Sequence, residues 1–233
     1  MERIDKILSN AGVMSRNECK IAVKRKQITL NGEIINDCSI KADANVDDIR
    51  YKGEKLNLEK FVYIMLNKPL GVVSATNDGR DKTVIDLVST KYMRQGLFPC
   101  GRLDKDTVGL VIITNDGQSA HRRLAPKTHA EKVYYFTVAE PIKSSDVEVL
   151  ENGVTLKDGF TTAPCKITLD NEFSGHITLT EGKYHEIKRM FGYTGNKITY
   201  LKRVAFAGIL LDDNLKEGEC RLLTLQEKLL FIK

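Results

Sequence analysis

The sequence predicts an α+β fold, with a small N-terminal α/β module over residues 1–58 and a larger domain over residues 59–233. The larger domain should be built on a mainly antiparallel, mixed sheet with flanking helices. Three observations carry this. Residues 1–35 read as helix, helix, hairpin. Beyond residue 60, apolar strand patterns come in groups with helical patterns between them, without regular strand–helix alternation. A chain of 233 residues that is 42% hydrophobic can also bury a sizeable core.

In the module, Ile4, Ile7 and Leu8 form the stripe of a first helix, which Asn10-Ala11-Gly12 should stop. Ser15-Arg16-Asn17-Glu18 fits the S-x-x-E capping box, so a second helix should start there. It carries Arg16, Lys20 and Lys24 at i, i+4 and i+8, with Arg25 and Lys26 at its end. Two short apolar runs around Asn31-Gly32 then predict a hairpin. Positive charge gathers in residues 1–26, whereas residues 33–54 are net acidic. A lone basic face can simply be solvated, but clustered cations are also what phosphate neutralisation needs. The order of elements, the R-x-D-K opening and the basic second helix resemble the S4 RNA-binding domain. That resemblance implies RNA contact through Arg3, Arg16, Lys20, Lys24 and Arg25.

Residues 55–60 read as a polar connector. Strands are then predicted at 61–66, 72–73, 109–114, 133–138, 164–169, 176–180 and 204–211. Helices are predicted near 83–90, 117–125, 144–151 and 184–193, and from Gln226 onward.

The formal charge of +5 favours a polyanionic partner without identifying one. Five cysteines without a C-x-x-C pair suggest reduced, buried thiols and neither a disulfide framework nor a zinc knuckle. The start has no apolar signal core, and no run approaches the roughly 20 apolar residues of a membrane span, so a cytoplasmic protein is expected. G-x-G-x-x-G, P-loop and G-x-S-x-G motifs are absent, which indicates no nucleotide cofactor. The four histidines, His121, His129, His176 and His185, show no metal-ligand spacing.

The most informative stretch is GRLDKDTVGLVIITNDG, residues 101–117, which sets Arg102 and Asp104 on a short connection before an apolar strand. An EF-hand loop starting at Asp104 fails, because Val108 and Asn115 stand at its fifth and twelfth positions. Arg102 and Asp104 could form a plain surface ion pair. In residues 181–191, Ile187 and Phe191 share one helix face while His185, Lys188 and Arg189 share another. That second face is either a wet basic side or a set of cations aimed at a carboxylate or phosphate. In Glu131-Lys132-Val133-Tyr134-Tyr135 the adjacent aromatics of a strand face opposite ways, so one should be core and the other free.

These stretches together resemble the RsuA family of RNA pseudouridine synthases. Residues 101–117 look like its G-R-L-D-x-x-T-x-G-L-L-x-x-T-N-D-G signature, matched at Gly101, Arg102, Leu103, Asp104, Thr107, Gly109, Leu110, Thr114, Asn115, Asp116 and Gly117. Glu131 to Tyr134 resembles the family's second motif, and Glu181 to Phe191 its third. With the S4-like module the resemblance covers essentially the whole chain. Tyr184-His185 and the P-K-x-H-x-E-K-x-Y spacing from Pro126 look most like the branch that modifies small-subunit rRNA. Large-subunit relatives usually show Asn-Arg in place of Tyr184-His185. The third-motif position that is generally Arg is Lys188 here, a point charge in place of a planar fork.

The resemblance implies isomerisation of uridine to pseudouridine in 16S rRNA, at position 516, without cofactor or metal, by a monomer. Asp104 would be the essential carboxylate, and Lys188 the cation that favours its ionised form. Tyr134 would stack on the flipped uracil and Ile187 would close the other side. Arg102 would fill the vacated space or hold a phosphate, and Arg189 would join in substrate binding. Asp106 and Asp116 would be structural. The alternatives are a large-subunit (23S) rRNA enzyme of the same family, or a non-catalytic RNA-binding ribosome-assembly factor.

Overall fold

The capping box and the Asn-Gly turn both form as their sequences require. Ser15 accepts a hydrogen bond from Glu18 N while the Glu18 carboxylate accepts from Ser15 N. Asn31 and Gly32 both take positive φ, 52° and 91°, the geometry of a tight hairpin turn. The computed structural model describes residues 1–233 except Asn45, Asn57, Lys60, Gln95 and His129, together with the side chains of Lys91 and Pro126. His129, with its place in the spacing from Pro126, and part of the connector at 55–60 therefore lie outside the described residues.

The chain divides into two units. The first comprises Met1–Val62, Ser89–Leu97 and Thr114–Asp116, and the second Tyr63–Val88, Phe98–Ile113 and Gly117–Lys233. In the first unit the chain runs β1 (Glu2–Arg3), α1 (Ile4–Asn10), α2 (Arg16–Lys24), β2 (Ile28–Leu30), β3 (Glu33–Ile34), β4 (Lys41–Ala42), β5 (Ile49–Tyr51) and β6 (Glu54–Lys55). A sheet of order β3-β2-β5-β6 and the helices enclose Ile4, Leu8, Cys19, Ile28 and Ile49. Burying one helix face against a sheet in this way removes apolar surface from water at about 25 cal/mol per Å².

The second unit contains β7 (Tyr63–Lys68), β8 (Phe98–Cys100), most of β9 (Val108–Thr114), α3 (Gly117–Leu124), β10 (Lys132–Val138), α4 (Ser144–Glu151), β11 (Lys166–Asn171) and β12 (Ser174–Leu179). After these come α5 (Glu186–Tyr193), β13 (Ile198–Phe206), β14 (Ile209–Leu210), β15 (Cys220–Leu222) and α6 (Leu225–Ile232). Nine strands of the described residues form a mixed sheet of order β11-β12-β10-β13-β9-β7-β15, with β14 on β13 and β8 on β9. β13 runs parallel to β9, while β10 is antiparallel to both β12 and β13. α5 lays Ile187, Met190 and Phe191 on the sheet, and the Phe136 and Phe191 rings meet at 4.8 Å between centroids.

Several expectations need correction. The helix predicted over 83–90 is only a 3₁₀ turn at Ile85–Leu87. Thr83 is drawn into a bridge with Val73, and its N–H and hydroxyl both donate to the Asp86 carboxylate, so local bonding displaces the helix. Val72-Val73 contributes that bridge and no strand. The run predicted at 204–211 is two strands folded at Ala207-Gly208, both with positive φ, and β13 extends back to Ile198. The cysteines are free, but only Cys19, Cys38 and Cys100 are buried; Cys165 and Cys220 are half-buried.

Candidate active site

Asp104 sits on a turn closed by Thr107 N donating to Asp104 O, just before β9. The turn is held from beneath. Leu103 N donates to Ser74 Oγ, which donates in return to Leu103 O, and Gly71 N donates to Lys105 O. Under it lies Lys68, fully buried, whose Nζ donates to the carbonyls of Thr107 (2.7 Å), Pro69 (3.1 Å) and Lys105 (3.4 Å). Burial pulls the Lys68 amine down to about 8 against the attraction of Asp106 and Asp104.

Strand register brings Tyr134 to the same place. Arg203 of β13 is the partner of Tyr134 on β10 and of Gly109 on β9. Gly109 has φ 102°, and a Cβ there would lie 2.3 Å from Arg203 O, so the close approach of β9 to β13 requires glycine. Arg203 itself is buried, donates from Nε to Leu110 O, and lies over the Phe206 ring.

α5 delivers the cation. Lys188 Nζ lies 2.9 Å from Asp104 Oδ2 and 2.5 Å from Asp106 Oδ1. Partial burial opposes its charge, but the bonds to both carboxylates outweigh this and raise its pKa above the ordinary lysine value. The same bond from Lys188 holds Asp106 below the usual carboxylate range. His185 Nε2 is 3.6 Å from Asp104 Oδ2. Together Asp104, Lys188, Tyr134, Ile187, Leu179 and Leu201 line one pocket, in which apolar side chains that suit a flat ring stand beside the ionic pair. Among the described residues no group of three or more His, Cys, Asp and Glu side chains could hold a metal ion.

Arg102 also lines the pocket and makes no ion pair with Asp104, which is bonded to Lys188 instead. Arg189 does not join them. It bonds Asp158 at 2.5 Å and the carbonyl of Tyr184, and lines a separate cleft with Tyr193. His185 stands outside the helix that was predicted to carry it, in the left-handed region at φ 49°. Tyr135, on the opposite face from Tyr134, is not free: its ring packs edge-on against His176 and Tyr200. Of the basic residues in the first unit, Arg16, Lys20, Lys24 and Arg25 are exposed on or beside α2. Arg3 forms a two-pronged bond with buried Asp5.

Sequence reasoning missed four groups. Asp106, set aside as structural, shares Lys188 with Asp104. Lys68 is the last residue of β7, beyond the strand predicted at 61–66. Glu181 and Glu186 line the same pocket, and Glu186 is 3% exposed. Burial first, and the adjacent Glu181 second, push the Glu186 carboxyl up to about 7, against a bond from Lys183 N. The only signal for it was the spacing of Glu181 and Glu186 across a glycine turn.

The family model for RNA pseudouridylate synthase matches residues 62–193. A Bacillus subtilis protein named as an uncharacterized RNA pseudouridine synthase, YtzG, is 42% identical over 229 residues, 97% of this chain and 96% of its own. Ribosomal small subunit pseudouridine synthase A of Haemophilus influenzae is 36% identical over 228 residues, 97% of each chain. A crystal structure of a pseudouridylate synthase superposes with TM-score 0.70 at 33% identity and covers 100% of both chains.

Proposed function

The chain belongs to the RNA pseudouridylate synthase family, and we propose that it isomerises a uridine of small-subunit (16S) rRNA, at position 516, after flipping it over Asp104. The observation that carries this reading is the Asp104 carboxylate, fixed on a turn by Lys188 and facing a pocket walled by Tyr134 and Ile187.

Isomerisation breaks the C1′–N1 bond, turns the uracil and joins C1′ to C5; the hydrogen on C5 leaves to solvent as a proton, and N1 takes up a proton in its place. Oxidation state does not change, so the reaction itself calls for no nucleotide cofactor. Asp104 supplies the carboxylate of the reaction, and Lys188, held cationic by two carboxylates, fixes it in place through their ion pair. Extruding the base costs a few kcal/mol in unstacking. Stacking on Tyr134 returns roughly 1–3 kcal/mol of that. Ile187 closes the opposite face. Arg102, exposed and without an ion pair among the described residues, occupies the gap in the RNA or holds a phosphate. The first unit acts as an S4-like RNA grip through Arg16, Lys20, Lys24 and Arg25, and the chain works as a monomer. The 36% relative named for the small ribosomal subunit supports the choice of RNA.

The test follows tritium release from small-subunit rRNA labelled at uracil C5, bare and protein-bound, with wild type and Asp104→Asn in parallel. Release by wild type and its loss by at least a thousandfold in the variant are expected; ~4 kcal/mol of barrier corresponds to that factor. Release only from large-subunit RNA would move the target. Release from neither RNA would leave a non-catalytic assembly factor.

A further inference from the structure

Beside the pocket runs a second cleft of about 600 Å³ that shares Arg102, Leu103, Asp104, Gly182 and Lys183 with it and is lined in addition by Tyr184. Its volume falls within the roughly 300–1,000 Å³ of small-ligand sites. Tyr184 is 75% exposed, an uncommon state for a tyrosine on an ordered segment. Its ring is nonetheless fixed, because it stacks on His185 at 3.9 Å between centroids and 17° between planes.

The segment is built to hold that stack. His185 takes the left-handed conformation, which is sparsely populated outside glycine and clusters at functional sites. Lys183 N donates to Glu186 Oε2 and Arg189 Nη1 donates to Tyr184 O, so both sides of the turn are tied to α5. His185 Nε2 in turn reaches to 3.6 Å from Asp104. One face of the Tyr184 ring is therefore covered by imidazole, and Tyr184 lines the same cleft as Asp104. Arg102 stands on that cleft as an exposed cation. An aromatic face next to a cation is the pairing that binds single-stranded nucleotides, the base by stacking and the backbone by charge.

We propose that the Tyr184–His185 stack is a recognition platform for one unpaired base adjoining the target uridine, seated in this cleft while the uridine itself enters the Asp104 pocket. This rests on the reading above and adds the element that selects RNA context. A flipped nucleotide leaves its neighbour without one stacking partner, and Tyr184 supplies the replacement.

The experiment is a binding cycle. Kd is measured by fluorescence anisotropy for wild type, Tyr184→Ala and Tyr184→Phe. The probe is a synthetic stem–loop copied from small-subunit rRNA around the target, intact or with an abasic site placed in turn 5′ and 3′ of the uridine. Tyr184→Ala is expected to weaken binding of intact RNA by roughly 5- to 100-fold. One of the two abasic RNAs should weaken wild type by a similar factor and should weaken Tyr184→Ala no further. Tyr184→Phe, which keeps the ring, should restore tight binding. Unchanged Kd in Tyr184→Ala overturns the proposal, and so do losses from variant and abasic site that simply multiply, since Tyr184 would then contact something other than that base. Pseudouridine formation by wild type on the intact stem–loop is scored separately. Its absence with the coupling intact would sink the catalytic reading and leave the platform standing.

Discussion

Glu186 shows most clearly what one side chain does to this site. It is buried beside Glu181 and near Lys132, with Lys183 N as donor to one oxygen. Its folded pKa of about 7 lies above the ordinary carboxylate value of 4.5. The folded state therefore binds more protons than the unfolded chain between those values. The stability this group contributes is fully present below the unfolded pKa and is lost as pH rises through about 7. Glu186→Gln keeps the shape and the acceptor but cannot ionise. It should shrink the fall in unfolding free energy between pH 5 and pH 8, relative to wild type, by on the order of 1–3 kcal/mol. Urea titrations of both proteins at the two pH values measure this, and an equal fall in both would refute it. Residues of this kind were hidden in the sequence. Asp104, Tyr134 and Lys188 stand in motifs, so their meeting could be expected, whereas the burial of Glu186 and Lys68 depends on which chain segments close over them.

At the level of elements, local chemistry was legible wherever it decides the conformation alone. The capping box before α2 and the Asn31-Gly32 hairpin needed no distant partner. The segment at 83–90 did need one, since its pairing with Val73 overrides an apolar spacing that also fits a helix. β13 was half hidden because Lys202 and Arg203 interrupt its apolar pattern, although Arg203 is buried by the strands on either side. The cationic face of α2 was legible and gives a prediction. Cys19, Ala22 and Val23 take the core side while Lys20 and Lys24 stay exposed. Lys20→Glu combined with Lys24→Glu should weaken rRNA binding and lower the slope of log K against log salt by about 2. Filter binding between roughly 50 and 200 mM salt covers the range in which the effect is large. Unchanged affinity at the low-salt end would show that α2 does not touch phosphate.

Across the whole molecule the change of pattern near residue 60 suggests a simple division between residues 58 and 59. In the structure the first unit runs to Val62 and also takes in Ser89–Leu97 and Thr114–Asp116. Contacts of high sequence separation leave no local trace. Val62 N donates to Asn115 Oδ1, and Gly12, with φ 64°, passes so close to Met93 that a Cβ would lie 2.7 Å from its carbonyl oxygen. A chain beginning at Tyr63 would keep the later segments and lose the α1–α2 layer that clusters with them. Removing residues 1–62 should therefore lower the melting temperature of what remains by roughly 5 °C or more, beyond any loss of RNA affinity. Calorimetry of the truncated and full-length chains decides it. Equal melting of the residues common to both would mean that segments 89–97 and 114–116 draw no stability from residues 1–62. A lower value would make charge reversal on α2, which leaves the fold in place, the sound way to separate RNA grip from catalysis.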